Sequence, residues 1–75
     1  MTITKAAQTV LKNTDRAMHV NDIYEEIIRQ NLYAFGAKNP KSVLSQTIRE
    51  KSTANPKVKT VLFRMVGPGT YELFS

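Results

Sequence analysis

The chain has 75 residues, 41% of them apolar, a formal net charge of +5 and no cysteine. A domain this short hides only about 60% of the surface its unfolded chain exposes, which leaves no room for a deep enzyme cleft. Disulfides and cysteine zinc sites are excluded, the apolar share is that of a globular chain rather than a disordered one, and no apolar run approaches the ~20 residues that span a bilayer.

The chain opens MTITKAAQTVLKN, without the continuous apolar stretch of a signal peptide. Ile3, Ala6, Ala7, Val10 and Leu11 recur at helical spacing and predict an amphipathic first helix. Thr2 is its candidate cap, and Asn13 and Thr14 its end, Asn being tolerant of the left-handed conformation that follows helices. Residues 17–20, AMHV, read as a short extended piece. Asn21 then caps a second helix whose apolar stripe is Ile23, Tyr24, Ile27 and Ile28. Asp22, Glu25 and Glu26 lie near its positive end, where carboxylates are stabilised. Glu25 and Glu26 are adjacent, so on a helix they point about 100° apart and form a solvated face rather than an acid–base pair. His19 is the only histidine; with no partner ligand near it, a structural role is expected instead of a metal. Residues 30–37 connect to the next helix. Leu32, Tyr33 and Phe35 should pack, with Gly36 supplying the bend.

Residues 38–52, KNPKSVLSQTIREKS, predict the third helix, around which the rest is organised. Asn39 is the candidate cap and Pro40 occupies the first helical position, where its missing N–H costs nothing. Val43, Leu44, Thr47 and Ile48 fall on one face, and Ser42, Ser45, Gln46 and Arg49 on the other. The outer face is short and polar with one long cation, a surface suited to a DNA major groove, where Arg reads guanine and Gln reads adenine. Thr53-Ala54-Asn55-Pro56 is a breaker cluster. Residues 57–66 are β-branched and aromatic and predict a strand; Gly67-Pro68-Gly69 is a turn; residues 70–74 predict a second strand. Three helices followed by a β-hairpin make an α+β winged helix-turn-helix. Phe63, Tyr71 and Leu73 should pack the hairpin onto Leu44, Ile48 and Ile27.

The charge is segregated. Residues 1–37 are neutral overall, residues 38–64 carry seven basic residues against Glu50 alone, and residues 65–75 add only Glu72. A one-sided basic surface marks a polyanion binder.

These pieces resemble the HARE-type winged helix: AAQTVL (6–11), AMHVNDIYEEI (17–27), the third-helix run KNPKSVLSQTIRE and the wing FRMVGPGTYEL (63–73). The MH-x-x-x-I-Y segment and the V-G-P-G-T-aromatic-x-L wing are the most specific parts, and the match covers nearly the whole chain. Residues 31–38 and 52–59 depart from the compact forms by being longer and more basic. The resemblance implies a fold used mostly for DNA binding. In bacteria such modules are typically fused to nuclease, methylase or other defence domains. They occur also in eukaryotic chromatin proteins and in the delta subunit of bacterial RNA polymerase, and have been proposed to sense DNA modification.

The expected function is therefore a double-stranded DNA-binding module of a bacterial restriction or defence protein. Ser42, Ser45, Gln46 and Arg49 would face base edges. Lys38, Lys41, Lys57, Lys59 and Arg64 would neutralise phosphates, and the start of the third helix at Asn39 would offer amide donors to one phosphate. No membrane, cofactor, metal or small-molecule substrate is expected. The chain is expected to be a domain of a longer protein, linked to a nuclease or other effector. It would act at the bacterial nucleoid in the cytoplasm, or in the nucleus of a eukaryote. The alternative is a protein-interaction winged helix, disfavoured by the basic stretch and by the lack of a surplus apolar stripe. An enzyme is the weakest reading: there is no nucleophile–base pair, metal set or phosphate loop.

Overall fold

A computed structural model describes residues 1–74. They form three helices and three strands in the order α1 (Ile3–Thr14), β1 (Met18–His19), α2 (Val20–Arg29), α3 (Pro40–Glu50), β2 (Phe63–Gly67) and β3 (Thr70–Leu73). The strands make one antiparallel sheet in the order β1-β3-β2. This is the expected winged helix-turn-helix, with a third strand added to the hairpin. The pairing of Met18 with Tyr71 and of His19 with Thr70 turns the short extended piece into a sheet edge.

Thr2 Oγ1 accepts the Lys5 N–H (3.1 Å) and starts α1 as expected. The helix ends at Thr14 as expected; Asp15, not Asn13, adopts the left-handed conformation after it, φ 54°, and its N–H returns to the Leu11 carbonyl. A short polar side chain tolerates that region in either residue, and the position is set by where the buried stripe ends at Leu11.

α2 begins earlier than expected. His19, not Asn21, is its cap: the ring Nδ1 accepts the Asn21 N–H at 3.1 Å. The sheet dictates this. Val20 donates its N–H to the Gly69 carbonyl at 2.9 Å, so the helix starts as soon as the strand ends. At its far end α2 closes in a Schellman arrangement. Asn31 is left-handed at φ 55°, its N–H meets the Ile28 carbonyl, and the Leu32 N–H meets the Ile27 carbonyl. Asn31 thus turns the chain out of α2; the bend expected at Gly36 before α3 falls on residues 37–39 just after it, and Gly36 itself does not have a positive φ. Ile28, expected in the buried stripe, is 48% exposed, because Ile23 and Ile27 already fill the contact with the other helices. Leu32, Tyr33 and Phe35 pack against the core as expected.

α3 starts at Pro40, with Asn39 at the cap position. The Asn39 side chain, contrary to expectation, makes no capping bond; the residue has φ −126° and ψ 75°. Leu44 and Ile48 are fully buried on the inner face. β2 starts at Phe63 instead of residue 57. The β-branched residues before it have no strand to pair with, since β3 is only four residues long. Residues 53–62 form a loop instead, closed at its base by hydrogen bonds from Leu62 and Phe63 N–H to the Lys51 carbonyl and from Thr53 N–H to the Phe63 carbonyl. Gly67, expected in the turn, is the last residue of β2; Pro68-Gly69 turn the chain into β3, with Gly69 left-handed at φ 66° and a bulge between Met65 and Gly67.

The core is continuous across helices and sheet. Phe63 and Tyr71 from the wing join Leu11, Ile23, Ile27, Leu44 and Ile48, and Leu73 packs at its margin. No described helix is long and apolar enough to cross a membrane.

Candidate nucleic-acid interface

Burial of Leu44 and Ile48 fixes the rotation of α3, and with it the outward face. Ser42, Gln46 and Arg49 are exposed and Ser45 is half-buried beside them. The four residues expected to face base edges therefore share one surface, free of bulky apolar groups. Gln46 is oriented by its neighbour one turn on: its Nε2 donates to Glu50 Oε1 at 3.2 Å. Arg49 makes no ion pair among the described residues. Its charge is felt by the buried Tyr71: burial pushes the phenol pKa up, and the Arg49 guanidinium opposes that rise.

The loop after α3 forms the side of this surface. Gln46, Arg49 and Glu50 line an open cleft with Ala54, Asn55 and Pro56. Asn55 sets the loop's course, its Nδ2 donating to the Glu50 carbonyl (3.0 Å) and its Oδ1 accepting the Lys57 N–H (3.1 Å). A second hollow, sharing Glu50 and Asn55 with the first, is lined by Lys51, Lys57 and Lys59. The breaker cluster is thus the joint between the polar helix face and a lysine-bearing loop. Lys51 and Asn55 belong to this surface but escape a sequence reading of contacts. The run of cations at 49, 51, 57 and 59 is the signal for Lys51; nothing local marks Asn55.

The remaining candidates lie apart. Lys38, Asn39 and Lys41 are exposed around the start of α3, at the opposite end of a helix roughly 15 Å long. The Lys41 ammonium lies 5.7 Å from the Tyr24 ring centre, and Tyr24 in turn packs on Phe35. Arg64 is not a free cation. Its Nη1 meets Glu72 Oε2 at 3.1 Å across the wing, and its guanidinium lies 5.2 Å from the Phe74 ring centre. The second-helix carboxylates are a solvated face, as expected. Glu26 pairs with Arg29 at 2.6 Å, which lowers the Glu26 pKa and raises that of Arg29. Among the described residues no group of three His, Cys, Asp or Glu side chains could hold a metal ion.

Comparison with known families gives a match over residues 1–75, to a helix-turn-helix model whose description names ASXL and restriction endonuclease. Neither a search of curated proteins nor one of solved structures finds a match.

Proposed function

The chain belongs to the HARE-HTH family, and we propose that it binds double-stranded DNA with α3 in the major groove. The observation that carries this reading is the continuity of surface. The exposed polar face of α3 adjoins, through Glu50 and Asn55, a hollow lined by Lys51 at the helix end and by Lys57 and Lys59 of the loop, while Leu44 and Ile48 on the other face are buried. A helix with small polar side chains and one Arg fits the groove, and flanking lysines meet the phosphates that supply most of the affinity. Lys38 and Lys41, exposed at the other end of α3, would meet a separate phosphate. Arg64, held by Glu72, contributes less than a free cation.

The family description names restriction endonucleases. In keeping with it, we propose that the module serves as the DNA-recognition part of a restriction or defence protein. A linked nuclease or other effector would then do the chemistry, at the nucleoid of a bacterial cell. A second reading has an observation of its own: Ile28 is 48% exposed beside the aromatic cluster of Tyr24, Tyr33 and Phe35, on α2 and the connector. That patch would suit protein docking. Titration of random-sequence duplex at low salt separates the two. Binding that weakens steeply as salt rises supports the DNA reading. No mobility change or chemical-shift perturbation under those conditions overturns it.

A further inference from the structure

Glu50 stands in the wrong place for a stabilising carboxylate and for a phosphate-binding surface. It is the last residue of α3, where the helix dipole disfavours negative charge. It is the one acidic residue between positions 38 and 64, and it is exposed. Lysines line the hollow on one side of it and Arg49 the cleft on the other, yet among the described residues it makes no ion pair. Among the described residues its carboxylate has one hydrogen-bond partner, Gln46, whose Nε2 donates to Glu50 Oε1 at 3.2 Å. That bond uses one of the two Gln46 amide hydrogens and leaves the Gln46 carbonyl free.

A phosphate brought to this point would meet an uncompensated carboxylate and be repelled. A group with N–H bonds to give would be held. In the major groove such groups are the exocyclic amines, and the one matched to a carboxylate acceptor is the N4 amine of cytosine. Resting on the DNA reading above, we propose that Glu50 is a specificity-determining residue that accepts a hydrogen bond from a cytosine N4 amine. It lies where the base-reading helix meets the phosphate-binding loop. The same charge lowers affinity for DNA that offers no amine there, so Glu50 gives up non-specific affinity in exchange for selectivity.

The test begins with selection of a preferred duplex from a random pool by the unaltered 75-residue chain. Binding of wild type, Glu50→Gln and Glu50→Ala is then measured on the selected duplex, on versions replaced one base pair at a time, and on random duplex. The expected result is a preference for cytosine at one position that falls about tenfold or more in both variants. Random duplex should be bound several-fold more tightly, and thermal stability should stay unchanged or rise. A cytosine preference that survives in both variants overturns the proposal. So does uniform weakening on every duplex, which would make Glu50 only a support for Gln46. If wild type binds no duplex at low salt, the DNA reading itself falls, a result visible before any variant is made.

Discussion

At the scale of single residues, the proposed interface would divide its cations into two kinds. Arg49 lies beside Gln46 on the exposed face of α3, and its fork can bond a guanine edge twice. Lys59 lies in the loop after the helix, on the hollow it shares with Lys57. Lys59→Ala should weaken binding to all sequences alike and lower the slope of log affinity against log salt by about one unit. Arg49→Ala should cost about 1–3 kcal/mol on a selected site and much less on random duplex. Titrations of both variants on both duplexes check this; equal losses everywhere would make α3 one more phosphate contact.

Tyr71 gives a second residue-scale prediction. It is 1% exposed, and burial raises its phenol pKa against the opposing charge of Arg49. A raised folded-state pKa means that folding favours the protonated phenol. The associated stability is therefore complete below the unfolded value near 10 and is lost as pH rises through the folded one. As pH rises above about 10, wild type should lose melting temperature more steeply than Tyr71→Phe, which has no phenol to ionise.

At the scale of elements, α2 and the wing are joined through one side chain. The His19 ring caps α2, and a Cβ built on Gly69 would fall 2.9 Å from His19 Nε2. Gly69→Ala has to displace that ring and also occupy a left-handed backbone, which alone costs about 1–2 kcal/mol. Chemical denaturation should show a loss of at least that size, and of more than Gly36→Ala, whose Cβ would meet nothing within 4 Å. The elements themselves were legible because their apolar residues recur at helical or alternating spacing: Ala6, Ala7, Val10 and Leu11 mark α1 without ambiguity. Their ends were less so, because tertiary bonds choose among equivalent local signals. Asn21 and His19 can each cap a helix; the Val20–Gly69 hydrogen bond selects His19. Val58, Thr60 and Val61 have strand character, yet no strand lies beside them. The candidate site followed the same division. The outer face of α3 follows from which residues must be buried, whereas the Arg64–Glu72 pair and the position of Asn55 depend on how distant segments meet.

At the scale of the whole molecule, one core holds helices and wing together, and Ile48 is central to it at 0% exposed. Ile48→Ala should cost about 2–5 kcal/mol, a large share of what a domain of this size has available. A melt within a degree or two of wild type would mean that the inner face of α3 is not the one described.

The loop at residues 53–62 leaves the fold and returns to it at nearly the same point. Lys51 and Thr53 on the outgoing side bond Leu62 and Phe63 on the returning side, and Ser52, fully buried, forms a parallel bridge with Phe63. Such a closed base isolates whatever lies beyond it. Extra residues placed between Lys57 and Thr60 change only the ring size of an already closed loop, and doubling such a loop costs only about 0.6 kcal/mol. The lysines near its tip can thus be moved outward, multiplied or exchanged while α3 and the wing stay in register. If the proposed function holds, the loop is a place where reach along a nucleic-acid backbone would be lengthened by insertion, independently of the surface that would read the bases.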